Sequence, residues 1–370
     1  MINIFRNWMN RYFADEEAVL VVILLAAAVV LMMTLGDILA PIIASVIIAF
    51  LMEGMVARLK GIGVPHIVAV VIALLVVVGA IIVLLFVLLP GMWNQISNLV
   101  AEVPGMVSEM RRVALLLPEQ YPNVFSESFV DESITNTNRQ LSTFSNSVLS
   151  FSVAKLPLLI AVAIYIVLVP ILVFFFLKDG KKILSWLGRF LPNNRPVMTQ
   201  IWVEMNIQIA NYVRGKAIEI LIVTSVSYLS FALLGLNYAL LLAITVGMSV
   251  LIPYIGAVVA TIPIALIGFF QWGWSSELMT VIIVYGVIQM LDGNVLVPLL
   301  FSEAVNLHPI AIILAVLFFG GIWGFWGVFF AIPLATLTKA IITAWPTREQ
   351  VLHYHEREAE DAKPAEGDTV

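Results

Sequence analysis

The sequence predicts an all-α, polytopic membrane protein with about eight transmembrane helices, several broken at proline or glycine, and a helical extracytoplasmic insertion. Its 370 residues are 61% hydrophobic and 12% charged, against roughly 25% charged residues in soluble domains. Several apolar runs approach the ~20 residues that a helix needs to cross a bilayer. Between Ala217 and Thr338 there is no lysine or arginine, and only four acidic residues occur. Together these observations indicate a chain that lies mostly in lipid.

Residues 1–89 contain the first three predicted spans, which cover residues 18–35, 38–52 and 67–89. Arg6 and Arg11 precede the first span, and Arg58 and Lys60 follow the second. Because cytoplasmic loops are enriched in lysine and arginine, these cations place the N-terminus in the cytoplasm. No small-residue cleavage site follows the first apolar run, so we expect an uncleaved helix and not a signal peptide.

Residues 90–155 form the predicted helical insertion on the periplasmic side, since long loops translocate largely regardless of their charge. Within it, apolar residues from Val130 to Phe151 recur at alternating spacings of four and three, as in a heptad repeat. Two alternatives remain open for this helix. It docks on a paired helix over residues 91–117, or it packs against neighbouring subunits.

Residues 156–216 combine the fourth predicted span, residues 156–177, with a cytoplasmic segment that carries seven cations between Lys178 and Lys216. An apolar face over residues 183–190, with lysines beside it, predicts a first amphipathic helix in the headgroup zone. The proline-flanked stretch 192–196 should end this helix. A second helix is then expected to run directly into the fifth span.

Residues 217–345 are predicted to be a duplicated transport region with broken helices. The alignment of Leu236 with Leu307 pairs Gly256 with Gly327, Ala260 with Ala331 and, one gap later, Ile262-Pro263 with Ile332-Pro333. Each copy would be one helix followed by a long helix broken near its middle. The predicted breaks lie at Pro253 in the first copy and at Gly324–Gly327 in the second.

Two such copies after four spans predict eight crossings with both termini in the cytoplasm. Re-entrant hairpins around Pro253 and Pro298 are the alternative, because the cation rule has nothing to count between residues 217 and 338. Residues 346–370 are charged and poor in apolar residues, which predicts a disordered cytoplasmic tail.

The stretch Leu291–Pro309 concentrates the features of a transporter binding site, which lies where helices are interrupted in corresponding positions of two repeats. Asp292-Gly293-Asn294 is predicted to break a helix beside an acid, and the alternative is that Asp292 caps a half-helix or holds the repeat interface. Ionisable groups inside a membrane are costly, which makes each a functional hypothesis. The candidate substrate- or ion-binding residues are Asp292, Asn294, Gln289, Glu219, Pro253, Pro298 and His308.

Three of these candidates rest on arguments of their own. Pro253 is expected to free backbone carbonyls by removing a helix donor, and Pro298 does the same after Asn294. His308 precedes the last long helix, where it is either a group that titrates near neutrality or an interfacial helix cap.

Other function classes find no support in the motifs. There is no glycine-rich phosphate loop and no HExxH zinc motif, so we expect neither an enzyme nor a cofactor or metal. The absence of cysteine excludes disulfides and thiol catalysis. The net charge of −5 is spread over tails and loops, and no nucleic-acid partner is expected.

Six short runs carry a resemblance to a known family, and their order makes it specific. They are FFFLKDG (174–180), NYVRGK (211–216), GLNYALLLA (235–243), LIPYIGA (251–257), LDGNVLVPLLF (291–301) and VNLHP (305–309). From roughly Arg11 to Trp345 the chain resembles the autoinducer-2 exporter family of permeases. It departs from the family at Glu53-Gly54-Met55, where many members carry a proline after the second span.

This resemblance implies a bacterial inner-membrane exporter or exchanger that assembles as a homo-oligomer, with a pentamer and an elevator-like moving part suggested by the family. The leading hypothesis is a secondary transporter that exports a small polar solute, such as autoinducer-2, through the lipid bilayer. The second is a sodium/proton antiporter that uses Asp292, Glu219 or His308. The third is a membrane scaffold or channel whose insertion binds a partner.

Overall fold

The computed structural model describes residues 16–115, 156–192, 195–301 and 307–344, and all regular structure in these ranges is helical. Eight of the helical segments are long and apolar enough to cross a membrane. The predicted class, an all-α polytopic membrane protein, is therefore confirmed. The predicted heptad repeat over Val130–Phe151 and the predicted tail, residues 346–370, lie outside the described residues.

The helices are numbered here in chain order, and two π-helical turns are included within long helices. They are α1 (Glu16–Gly61), α2 (His66–Val83), the first π turn (Leu84–Leu88), α3 (Leu89–Leu115), α4 (Leu156–Gly188), α5 (Pro196–Leu233), α6 (Ala239–Ser249), α7 (Ile255–Trp272), α8 (Ser276–Leu291), the second π turn (Asp292–Leu296), α9 (Val297–Phe301), α10 (Pro309–Phe329) and α11 (Ala331–Ala344).

The chain divides into two compact units. Unit 1 comprises residues 1–54, 175–216 and 301–370, and unit 2 comprises residues 55–174 and 217–300.

In unit 1, the first two predicted spans are two helical segments, numbered together as α1, that meet at a non-helical residue, Leu35 (φ −118°, ψ 15°). This kink lies at the predicted end of the first span. The helix then continues past Met52 without a turn at Glu53, where the sequence departs from the related family. Gly54 lets the Arg214 guanidinium approach, because a Cβ at Gly54 would lie 3.4 Å from Arg214 Nε. Arg214 Nε donates to the Phe50 carbonyl at 3.3 Å.

The predicted separate amphipathic helix at residues 183–190 is wrong, since α4 continues from the fourth span to Gly188. The predicted break that follows is confirmed, and charged side chains cap both of its ends. Arg195 donates to the Gly188 carbonyl at 2.8 Å and so caps the end of α4. Glu17 accepts from the backbone N–H of Met198 at 2.6 Å and caps the start of α5. Each charge opposes the helix dipole that it faces.

In unit 2, the predicted boundary at residues 89/90 falls inside a continuous helix. The chain passes from α2 through the first π turn into α3 with helical backbone throughout. A proline cannot donate to the carbonyl four residues earlier, and its ring collides with that carbonyl. For Pro90 this carbonyl belongs to Phe86, the middle residue of the π turn. Widening the turn accommodates the ring without ending the helix.

Helices α6 and α7 form an antiparallel hairpin, hairpin 1. Its base closes through Gln271 near the end of α7, whose side chain accepts from Asn237 N at 2.8 Å and donates to the Gly235 carbonyl at 2.7 Å. Its tip is residues 250–254. Helix α6 has only 11 residues, about 16 Å, which is roughly half of a bilayer core. The predicted break at Pro253 lies at this tip.

A glycine makes the chain reversal at the tip possible. A Cβ on Gly256 would overlap the carbonyl oxygen of Ser249, seven residues earlier. In a straight helix those residues are separated by about 10 Å. Tyr254 just before it has a left-handed φ of 64°, which is uncommon for a residue with a side chain.

In unit 1, the second predicted break has the same design. Gly324 lies inside α10 with a φ of 56°, and a Cβ on Gly327 would overlap the carbonyl oxygen of Phe319. Gly256 and Gly327 are the residues that the predicted duplication pairs. Each sits just after a residue with positive φ and contacts the carbonyl of the helix arm before the break.

The core of unit 2 joins the second half of α5 with α6, α7 and α8. Its fully buried members include Phe231, Val246, Ile264 and Val281. Small residues bring the helices close, since Gly247 of α6 lies against the Thr224 side chain of α5. Tyr285 of α8 donates its hydroxyl to the Ala257 carbonyl of α7 at 2.7 Å.

Candidate substrate-binding region

Six of the seven candidate residues lie in unit 2, and the seventh, His308, lies in unit 1. Five of the six are on the α8–α9 helix or on the facing core helix α5. Pro253 is at the tip of hairpin 1. The structure therefore concentrates the predicted polar residues in the unit that contains hairpin 1.

The predicted helix break at Asp292–Asn294 is wrong, because these residues form the second π turn of a continuous helix. The Val297 N–H bonds to the Asp292 carbonyl five residues earlier. The Asn294 side chain donates from Nδ2 to the Met290 carbonyl at 2.9 Å. In a π turn the N–H groups bond to carbonyls five residues earlier and not four. The Asn294 amide supplies an additional donor to a backbone carbonyl of this turn region. Its Oδ1 acceptor takes no part in that bond.

The two π turns of unit 2 share one geometry but not one chemistry. Each has five residues and ends two residues before a proline, Pro90 or Pro298. The residue before each proline donates to the first carbonyl of the turn. The first turn has the sequence LLFVL and the second DGNVL. Apolar residues are therefore sufficient to build this turn, and Asp292 and Asn294 are not required by its backbone.

Two further polar side chains are buried on the helices of this core. Glu219 of α5 is 1% exposed, and Ser227, eight residues later on the same helix face, is 0% exposed. The Ser227 hydroxyl and the Gln289 side-chain nitrogen are buried and have no hydrogen-bond partner among the described residues. Leaving such groups unpaired costs about 1–3 kcal/mol each. Ser227 is not among the residues predicted from the sequence, although its spacing of eight residues from Glu219 places both on the same face of α5.

The backbone at Pro253 is more fully bonded than the sequence suggested. Its carbonyl accepts from Ile255 N at 2.7 Å, and the Ile252 carbonyl accepts from Gly256 N at 2.8 Å. Pro253 therefore shapes the tip, and its own carbonyl is committed to the turn. The exposed group at the tip is Tyr254, with 59% of its surface accessible.

His308 is a helix cap, one of the two roles considered for it. Its Nδ1 accepts from the Ile310 N–H at 3.3 Å, and Pro309 occupies the first position of α10. Within the described ranges, no group of three or more His, Cys, Asp or Glu side chains is placed to hold a metal ion.

Comparison with known proteins decides the family. A family model described as "AI-2E family transporter" matches residues 18–347. The chain belongs to the AI-2E transporter family.

Individual relatives of this AI-2E family member are also transport proteins by name. The chain is 46% identical over 346 residues to "Putative permease PerM" of Escherichia coli (strain K12), covering 94% of this chain and 98% of PerM. It is 27% identical over 277 residues to "Putative transport protein YueF" of Bacillus subtilis (strain 168), covering 75% and 73% of the two chains. The resemblance predicted from the six motifs is confirmed. An AI-2E family transporter with eight long apolar helices is a multi-pass protein of the lipid bilayer.

Proposed function

We propose that this protein is a secondary transporter of the bacterial inner membrane that exports a small polar solute of the autoinducer-2 type. Asp292 and Asn294 of the second π turn bind the solute. Gln289, Glu219 and the proline-shaped segments at Pro253 and Pro298 complete or support the site.

The comparison of the two π turns carries the proposal. Phe86, in the middle of the first turn, is 74% exposed, as suits a side chain that faces lipid. Asn294 occupies the equivalent position in the second turn and is also exposed in the isolated chain. A polar amide at that position is unfavourable against lipid and favourable against water or a polar ligand. An apolar residue also builds this turn, and the Asn294 Oδ1 takes no part in the bond to Met290, which supports a role for Oδ1 in binding a polar ligand.

The buried polar groups of the core indicate the chemistry of the solute. Gln289 Nε2 and the Ser227 hydroxyl are donors without a protein acceptor among the described residues. The Gln289 amide nitrogen can only donate, so a bare cation offers it nothing, whereas a solute with hydroxyl or carbonyl oxygens accepts from it and from the Ser227 hydroxyl. Carboxylates at Glu219 and Asp292 in turn accept from the solute's hydroxyl groups. A neutral, oxygen-rich small molecule satisfies both sets.

The mechanism proposed is elevator-like, with residues 217–345 as the duplicated moving part. The paired glycines Gly256 and Gly327, each behind a residue with positive φ, support the duplication. Interrupted helices in corresponding positions of two repeats are typical of transporter sites. The family resemblance supports a homo-oligomer, and the cation distribution supports cytoplasmic termini.

The test is transport in proteoliposomes, with autoinducer-2 as the probe. We expect Asp292→Asn and Asn294→Ala to lower the initial rate at least tenfold, the effect of losing a charge-assisted contact of about 1.5–3 kcal/mol. Leu84→Ala and Phe86→Ala change the equivalent positions of the first π turn and should transport normally. Wild-type rates in both second-turn variants would contradict the site assignment.

Sodium/proton exchange is the second candidate, and the burial of Glu219 favours it. An acid that is 1% exposed inside a membrane protein is a candidate proton carrier. A sodium gradient across the same proteoliposomes would then acidify or alkalinise the lumen, as seen with a pH-sensitive dye. Loss of that signal in Glu219→Gln, with autoinducer-2 transport absent in the wild type, would replace the first proposal with this one.

A further inference from the structure

One face of α3 holds the base of hairpin 1. The residues Gly91, Gln95, Leu99 and Glu102 follow spacings of four, four and three, so they lie on the same side of the helix. We call them the anchor face. The hairpin base is residues 235–241 together with Gln271. All of these residues belong to unit 2.

The anchor face supplies the cap that α6 lacks. The residue before α6, Tyr238, has left-handed backbone (φ 60°, ψ 27°) and gives no side-chain cap. Gln95 Oε1 instead accepts from the Leu241 N–H, in the first turn of α6, at 2.8 Å. The first N–H groups of a helix have no partner within it, so an outside acceptor stabilises its start. In contrast, α10 is capped by its own His308.

Two more contacts extend the anchor along α3. Gly91 leaves space for Leu240, whose Cδ2 would lie 3.2 Å from a Cβ at position 91. At the other end, Tyr238 hydrogen-bonds to Glu102, and burial followed by that carboxylate raises the pKa of Tyr238 to about 12. Between them, Leu99 packs on the unit 2 core. The base is therefore held at three levels over about three turns of α3.

The tip of the hairpin has a different character. Tyr254 is exposed and has a strained positive φ. The N–H groups of Leu251 and Ile252 bond to the Met248 and Ser249 carbonyls at the end of α6. Trp93, Trp272 and Trp274 all lie within a few residues of the base, and tryptophan is typical of the membrane interface, which favours an interfacial base.

We propose that α3 is the outer anchor of hairpin 1, so that the base stays fixed to α3 and only the tip opens. The predicted insertion, residues 90–155, begins with this anchor. The described part of this insertion, residues 90–115, therefore contacts hairpin 1 through Gly91, Gln95 and Leu99.

The first test is hydrogen exchange of the purified protein in nanodiscs, which needs no substrate. Gln95→Met removes the acceptor and should speed exchange of the amides at residues 239–243 about fivefold, the effect of one lost hydrogen bond. Gln95→Glu keeps an acceptor oxygen and should restore the wild-type rate. Gln208→Met is the matched control, because Gln208 bonds only within α5, to Glu204. Unchanged exchange in Gln95→Met would overturn the anchor.

The second test locks the base with a disulfide. The chain has no cysteine, so a Gly91→Cys/Leu240→Cys pair has no competing thiol. Trp93→Cys/Leu240→Cys is the control pair, because Trp93 lies about 200° around α3 from Gly91. Oxidation of the 91–240 pair should protect residues 239–243 and leave exchange at 250–256 within about twofold. Equal protection of base and tip, or no cross-link, would overturn the proposal. Neither test depends on the solute.

Discussion

Replacing Gly256 with alanine probes the chain reversal at the tip of hairpin 1. The new Cβ would overlap the Ser249 carbonyl oxygen and would lie 3.2 Å from Ser249 Cα. These are backbone atoms, which cannot rotate aside as a flexible side chain can. Overpacking typically costs about 1–3 kcal/mol. Because α6 and α7 must separate to relieve this overlap, we expect a loss of stability at the upper end, about 3 kcal/mol.

The assay is thermal unfolding of purified protein in detergent, followed by circular dichroism. Gly286→Ala is the matched control, because Gly286 lies in the interior of α8 with nothing within 4 Å of the added Cβ. Alanine there should stabilise the helix by about 0.5–1 kcal/mol. Gly327→Ala should behave like Gly256→Ala, since its Cβ meets the Phe319 carbonyl in the same way.

The result is decisive because Gly256→Ala is expected to lower the stability and Gly286→Ala to raise it. If Gly256→Ala unfolds at or above the wild-type temperature while Gly286→Ala is stabilised, the close approach of Gly256 to Ser249 does not exist. The same outcome for Gly327→Ala alone would refute the likeness of the two breaks and leave hairpin 1 standing.

Three further predictions concern contacts outside the tip. Glu17→Ala should lower the unfolding free energy, measured by chemical denaturation, by about 1–2 kcal/mol, the value of an N-cap. The reason is that the Glu17 carboxylate caps α5 by accepting from Met198 N at 2.6 Å. Glu17→Gln should recover part of this loss. Tyr212→Phe should cost about 1–3 kcal/mol in the same measurement, because its hydroxyl donates to a carbonyl at the end of α10 at 2.9 Å and that acceptor loses its donor. The pKa of Tyr238 is raised from 10.0 to about 12, so the stabilisation from its protonated form is fully present below pH 10 and is lost as pH rises through about 12. In a phenolate absorbance titration of the nine tyrosines, the late component should be smaller by one tyrosine in Tyr238→Phe and should shift to lower pH in Glu102→Gln.

Much of the fold follows from composition and periodicity. The long apolar helices and the interruptions near Pro253 and Gly324 were predicted from apolar runs and from proline and glycine. The chain reversal at the tip of hairpin 1 was only one of two alternatives, because a reversal depends on contacts between residues that no local sequence pattern records. The chain reverses at Pro253, in the tip of hairpin 1, whereas Pro298 lies in a continuous helix. The choice between full spans and re-entrant hairpins stays a prediction.

The second π turn shows why turn-forming residues mislead inside a membrane. Asp-Gly-Asn favours a turn in water, where solvent satisfies the freed backbone. In lipid, backbone groups must be satisfied within the protein, so a continuous helix is strongly preferred. The chain keeps its helix by shifting to bonds over five residues, and Asn294 supplies an extra donor. The binding role of Asp292 and Asn294 stays a prediction.

The proline-directed π turn also has an evolutionary consequence. Where a proline six residues after the start of the turn sets the backbone, the first three positions accept polar or apolar side chains, as DGN at 292–294 and LLF at 84–86 show within the same chain. An AI-2E transporter can then change residues 292–294 and keep the π turn as long as Pro298 is kept. If the proposed site is correct, divergence in the transported solute between relatives should be found at these three positions.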